Sequence, residues 1–154
     1  MAVRNLVYDG DKRLREKCAE IKNIDENIKK IADDMLDTMY KYDGIGLAGC
    51  QIGEMIRMVT YDVSYIEEDA KKKPMVLINP KIVWTSKTRV EVEEGCLSFP
   101  DVFKNVTRYE KVKMEYIGLD GKKRMISAKG IEAVVIQHEL DHLDGIVFLD
   151  RIEK

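Results

Sequence analysis

Between residues 26 and 42 apolar side chains return at Ile28, Ile31, Ala32, Met35, Met39 and Tyr42, while Lys29, Lys30, Asp33, Asp34 and Asp37 occupy the intervening positions. That spacing predicts an amphipathic helix whose Met and Ile stripe is ordinary core packing, capped by Asp25 and broken at Asp43-Gly44. Upstream, residues 1–24 mix short apolar pairs with charged clusters and predict an extended arm with at most a short helix. The middle of the chain changes period. Short β-rich runs at residues 56–63, 75–78, 82–84, 89–92, 112–116 and 124–126 are separated by turn signals, of which Asp120-Gly121 marks a hairpin. Glu67-Glu68-Asp69 and Lys71-Lys72-Lys73 predict a solvated loop. From residue 131 an apolar stretch continues through Leu140 and Leu143 to Gly145, which predicts a second helix buried on most sides. With strands gathered between two helices, the expected class is α+β, a mainly antiparallel sheet around a buried C-terminal helix with an amphipathic N-terminal helix.

That second helix carries the chemistry. The run Gln137-His138-Glu139-Leu140-Asp141-His142 holds both histidines of the chain, four positions apart, so on a helix the two rings share one face. A histidine on an apolar helix is commonly a satisfied core residue, and H-E-x-x-H arises by chance in unrelated chains. Here the whole histidine supply falls on a buried segment, where an unpaired polar ring costs roughly 1–3 kcal/mol. A shared metal ion offsets that cost.

The third ligand must lie upstream. A metalloprotease pattern extended to a third histidine would need it where Phe148 stands, and Glu153 is the only glutamate after His142. Cysteine suits the site best, because thiolate and imidazole together form a tetrahedral centre for zinc or ferrous iron. Of the three cysteines, Cys18 falls in a charged segment and is expected to be an inert surface or half-buried residue, and Cys50 lies in a glycine-rich stretch. Cys96, between Gly95 and a turn-prone Ser98-Phe99-Pro100, is modestly favoured, with the others left open.

Composition narrows the class. A chain of 154 residues with 45% apolar and 35% charged positions is long enough to bury a substantial core, and 1–154 is expected to be a single catalytic domain. The net charge of -2 gives no global basic field, so nucleic-acid recognition is not indicated, which leaves only a local basic patch open. Three cysteines without a disulfide-like spacing, no signal-peptide core at the N-terminus and no long uncharged apolar run point to a cytoplasmic protein without a membrane partner.

Residues 44–53 place four glycines among ten positions, ahead of a strand. A phosphate-cradling loop would need a helix start after the glycines, or a Gly-Lys-Ser/Thr ending, and has neither. A tight irregular turn and a rim along which a peptide backbone could lie are equally compatible.

Taken together, Gly44-Ile45-Gly46-Leu47-Ala48-Gly49-Cys50-Gln51, Glu94-Gly95-Cys96-Leu97-Ser98 and Gln137-His138-Glu139-Leu140-Asp141-His142 resemble the three signature motifs of the peptide deformylases, in the same order. The resemblance implies a metal-dependent hydrolase that removes the N-terminal formyl group from formyl-methionine of nascent polypeptides, releasing formate. It implies Cys96, His138 and His142 as ligands of one divalent metal ion, with ferrous iron physiological and zinc, nickel or cobalt as replacements. It also implies Glu139 as acid/base, and Gln51 with the Leu97 backbone N–H as donors to the developing oxyanion. An extended peptide would pair with Gly44, Ile45 and Gly46, its methionine side chain reaching Val134 and Val135, and Glu94 would pair with Arg108 to brace the cysteine loop.

The chain departs from the family pattern at Gly49, where alanine is usual, at Cys50, an expected oxidation liability beside Gln51, and at Leu140. It stops at Lys154, short of the long C-terminal helix with which some relatives dock on the ribosome, so any ribosome contact is expected to be transient. Two other readings remain at this level: a small H-E-x-x-H metallopeptidase, and a non-catalytic module whose metal only holds the fold.

Overall fold

The computed structural model describes residues 2–66 and 71–152. The expected acidic run Glu67-Glu68-Asp69 lies outside the described residues. Helix α1 spans Glu26–Lys41, and the Asp25 side chain accepts from the Ile28 N–H, a cap worth about 1 kcal/mol. Of the predicted apolar stripe Ile28, Ile31, Ala32, Met35 and Met39 are buried, but Tyr42, just past the helix end, is exposed, and Asp34, expected on the outer face, is buried where the Ala2 N–H and Arg4 bond to it. The N-terminal arm runs extended and contains one short 3-10 helix at Lys12–Arg15, as expected.

Seven strands follow: β1 Gly46–Ala48, β2 Met58–Tyr61, β3 Met75–Thr85, β4 Arg89–Cys96, β5 Phe99–Tyr109, β6 Lys111–Ile117 and β7 Lys123–Lys129. Five form one antiparallel sheet in the order β1-β2-β3-β6-β7, and β4 pairs with β5 in a separate antiparallel hairpin. The apolar runs at 75–78 and 82–84 are therefore one strand. Asn79-Pro80 interrupts the ladder between them as a bulge rather than a break. Asn79 adopts a left-handed φ of 49°, and its side-chain amide is held on both sides by the Ile21 backbone at 2.9 and 2.8 Å.

Helix α2, Gly130–Leu143, packs against one face of the large sheet and α1 against the other. Alternation along the strands divides their side chains accordingly: Ala48, Val59 and Leu77 join the α2 core, while Leu47, Met58 and Ile78 join the α1 core. Residues 133–140 of α2 are buried without a break, as the uninterrupted apolar stretch requires. Gly145, at φ 75°, turns the chain away from the helix end. No helix among the described residues is long and apolar enough to cross a membrane.

Candidate metal centre

β4 and β5 are joined across Leu97-Ser98, with a register break between Glu94 and Cys96 that carries Cys96 to the end of the hairpin, over α2. Cys96 Sγ lies 3.4 Å from His142 Nε2, and the donor atoms of Cys96, His138 and His142 all fall within 4.8 Å of one another. The two rings stand one helical turn apart, their centroids separated by 5.0 Å. The three residues that the motifs single out are thus brought to one point from two distant parts of the chain.

These residues suit a metal ion. A thiol and two imidazoles form a borderline-soft donor set for a tetrahedral site. His142 is fully buried and its Nε2 faces the Cys96 thiol, so that nitrogen is directed at the centre, while Nδ1 on the other side of the ring has no hydrogen-bond partner among the described residues. Glu139 Oε1 is likewise buried without a partner. Leaving that carboxylate oxygen unsatisfied costs roughly 1–3 kcal/mol, which a cation and its solvent would offset.

The surrounding shell orients the ligands. Glu94 Oε1 sits 2.8 Å from His138 Nδ1, which leaves Nε2 for the centre. Arg108 grips Glu94 through two bonds of 2.8 and 2.9 Å, the expected brace, and extends to Asp141 at 2.7 Å. Arg151 closes the other side of Asp141 at 3.0 and 2.9 Å. Gln137 ties α2 to the end of β5, its amide exchanging bonds with the Tyr109 N–H and carbonyl at 2.9 and 2.8 Å. The roles of Asp141, Arg151 and Gln137 were not foreseen from sequence, since only the fold brings Arg108, Tyr109 and Arg151 to them.

Burial dominates the electrostatics. It pushes the Glu139 carboxyl up to about 7, against the pull of the His138 and Arg108 charges. His142 is held well below the ordinary imidazole range by burial and by the charges of His138 and Arg108. Burial works against the charge of His138 as well, but the nearby Glu139, Cys96 and Glu94 overcome it and raise this imidazole to about 10. Glu94 stays below the usual carboxylate range because Arg108 and His138 outweigh its burial.

The glycine-rich stretch forms one wall. Gln51 follows β1 in a short 3-10 helix at Gly49–Ile52, and its Oε1 accepts from the Ala48 N–H at 2.9 Å. That bond turns Nε2 toward Ser98 Oγ at 3.1 Å and Cys96 Sγ at 3.5 Å. A Cβ on Gly46 would collide with the Glu139 carboxylate, meeting Cγ at 2.9 Å, and one on Gly44 would meet Leu97 Cδ1 at 2.7 Å. A Cβ on Gly49, one of the departures noted from the motif pattern, would meet the Glu54 and Ile56 carbonyl oxygens at 2.6 and 2.8 Å, so the smaller residue suits this backbone.

Cys50 is fully buried, with Sγ 3.6 Å from the His142 carbonyl, and contact with Cys18 together with burial pushes its thiol far up. A protonated, shielded thiol is a poor target for oxidants, contrary to expectation. Cys18, expected at or near the surface, is buried too, because the arm folds back and its N–H donates to the Leu143 carbonyl at 2.8 Å.

A cleft of about 650 Å³ opens over Glu139 and His138, walled by Gly44, Ile45 and Gly46 on one side and by Val134, Val135 and Leu97 on the others. The predicted substrate-binding residues therefore line one cavity with two of the candidate metal ligands, Cys96 and His138, and His142 lies buried beneath.

Comparison with known proteins agrees. The family profile described as Polypeptide deformylase matches residues 3–154. A peptide deformylase of Bartonella tribocorum is 46% identical over 154 residues, covering 100% of this chain and 86% of that protein, and one of Rhizobium meliloti is 43% identical, covering 100% and 87%. The crystal structure of peptide deformylase from Thermotoga maritima superposes with a TM-score of 0.93 at 36% identity, covering 100% of both chains. That of a Synechococcus elongatus peptide deformylase in complex with actinonin superposes with a TM-score of 0.91 at 41% identity, covering 97% of this chain and 80% of the other. On the strength of a match that runs from the arm through the metal helix, the chain belongs to the polypeptide deformylase family, the metal-dependent hydrolases that remove the N-formyl group from nascent polypeptides.

Proposed function

We propose that this chain deformylates formyl-methionine peptides with Cys96, His138 and His142 as the ligands of one divalent ion and with Glu139 as acid/base. The convergence of those three donors within 4.8 Å, with Cys96, His138 and Glu139 lining a cleft, carries the assignment. When bound, the cation supplies the Lewis acidity that makes a water nucleophilic at neutral pH. Glu139, whose buried Oε1 has no partner among the described residues, accepts the proton of that water and passes it to the departing amine. Negative charge then develops on the formyl oxygen. The Gln51 amide, preset by its bond from the Ala48 N–H, donates to it together with the Leu97 backbone N–H.

The peptide lies extended along Gly44, Ile45 and Gly46, with the methionine side chain against Val134 and Val135, both apolar and on the cleft wall. The whole chain acts as one catalytic unit in the cytoplasm, a setting that its three free cysteines favour. Ferrous iron is the working ion, with zinc, nickel or cobalt accepted by the same donors. Contact with the ribosome is transient.

A purely structural metal site would be closed by a fourth protein ligand. Among the described residues the cluster has three donors and faces a cleft, which favours catalysis. Turnover of formyl-Met-Ala-Ser beside the unblocked Met-Ala-Ser tests the assignment. Release of formate from the first, with no cleavage of the second, is expected. Peptide-bond cleavage without formate release would mark a peptidase instead.

A further inference from the structure

The face of the large sheet that α1 covers does not end where α1 ends. Residues paired across antiparallel strands share a face, and the pairs Lys81 with Glu115, Trp84 with Lys113, Glu115 with Met125, Lys113 with Ser127 and Lys111 with Lys129 continue the α1 side over the second half of β3 and all of β6 and β7. The opposite residues of β6, Val112 and Met114, are buried in the α2 core. Helix α1 packs on β1 and β2. Among the described residues nothing covers the remaining half of this face.

Its composition is unlike the rest of the molecule. Lys81, Lys111, Lys113, Lys123 and Lys129 are all exposed there, and Glu115 is the one acidic residue among the positions that share the face. The chain as a whole carries a net charge of -2, so the basic charge is concentrated rather than general. No ion pair neutralises any of the five lysines among the described residues. In their midst stands Trp84, the only tryptophan of the chain, 47% exposed, with Lys113 Nζ 5.4 Å from its ring centre. Met125 is 56% exposed on the next strand but one.

A large aromatic ring left half-exposed on a sheet offers apolar surface to a ligand, and lysines around it select what that ligand can be. A lipid surface would want a larger apolar wedge than one ring, one thioether and the exposed Val83 beside the ring, and an acidic protein would not need the ring. A single strand of RNA needs both: phosphates track cations spaced two residues apart along a strand, roughly 7 Å, while a base stacks on the ring. We propose that the Lys81, Trp84, Lys111, Lys113 and Lys129 face of β3, β6 and β7 binds the phosphodiester backbone of single-stranded RNA, with Trp84 as a stacking platform and without sequence preference. The face is separate from the catalytic cleft and does not depend on how the cleft works.

The test uses the metal-loaded full chain and a short fluorescein-labelled oligouridylate. Fluorescence anisotropy should give a dissociation constant in the range of about 10⁻⁴–10⁻⁶ M, and titration with unlabelled RNA should quench Trp84 emission. If four phosphates are neutralised, affinity should fall about fiftyfold between roughly 50 and 200 mM salt. The pair Lys113→Glu with Lys129→Glu should weaken binding at least tenfold, and Trp84→Ala roughly tenfold, with Trp84→Phe restoring most of it. Formate release from a formyl-methionine tripeptide should stay unchanged in all of these variants, which also shows that they fold. No anisotropy change at low salt, or charge-reversed protein binding as tightly as the parent, would overturn the proposal. Equal or tighter binding to a polyglutamate peptide, or to phosphatidylglycerol vesicles, would overturn it as well.

Discussion

Glu94 Oε1 lies 2.8 Å from His138 Nδ1, and the two oxygens of this carboxylate each accept a bond from Arg108, so the imidazole is oriented by a carboxylate that a guanidinium fixes in turn. All three groups are buried. Removing one charge of such a set leaves its partner stranded, which is costlier than removing both.

Arg108→Met should therefore destabilise the fold by about 3–5 kcal/mol, whereas Glu94→Gln, which keeps the shape and loses the charge, should lower metal affinity roughly 10–100-fold. Urea unfolding with a metal-competition titration separates the two effects. Equal, small changes in both variants would contradict the role given to this pair.

Glu139→Gln keeps the size of a fully buried side chain and removes its capacity to take a proton. Turnover should be lost almost entirely while the protein retains one equivalent of metal, measured by elemental analysis. A structural metal site would leave function untouched by this change.

Gly46 has no room for a side chain beside Glu139. Gly46→Ala should displace that carboxylate and lower kcat by roughly a hundredfold, with metal content unchanged. Gln51→Ala should lower kcat roughly 10²–10³-fold through loss of one oxyanion donor, with a smaller effect on KM. Steady-state kinetics on a formylated tripeptide reads both.

Asp34 is buried and accepts from Ala2 N–H at 2.9 Å and Arg4 Nε at 2.8 Å. Burial opposes its charge, but Arg4 and the Ala2 N–H outweigh it and hold the carboxyl below its ordinary value. A carboxyl whose folded pKa is depressed adds stability above its unfolded pKa of about 3.9, and that contribution is lost as pH falls through the folded value. Urea midpoints should therefore drop below about pH 4, and Asp34→Asn should flatten that part of the profile. An unchanged acid slope in the variant would refute the contribution.

Both helices and the metal pair were legible because their patterns are local. The α1 stripe repeats at helical spacing, and His138 and His142 declare a shared face by position alone. The hairpin that delivers Cys96 was only half legible. Its second strand, Phe99–Tyr109, contains Pro100, Asp101, Lys104 and Asn105, and it lies in a two-stranded sheet with much of its length exposed, so it never shows a clean alternation. The Leu97-Ser98 connection lacks an Asn-Gly or Asp-Gly signal, and Ser98-Phe99-Pro100 suggested a turn where a strand begins. Asn79-Pro80 misled in the opposite sense, because a bulge tied to the Ile21 backbone carries the strand past a proline. Charge partners such as Arg108 with Asp141, 33 positions apart, depend on the finished fold.

X-ray absorption at the metal edge of anaerobically purified protein tests the central claim most directly. For zinc-loaded protein the account predicts one sulfur at about 2.3 Å and two imidazole nitrogens at about 2.0–2.1 Å, with a remaining light scatterer from solvent and the sulfur lost in Cys96→Ser. A first shell without sulfur, or one completed by a fourth protein ligand, would contradict it.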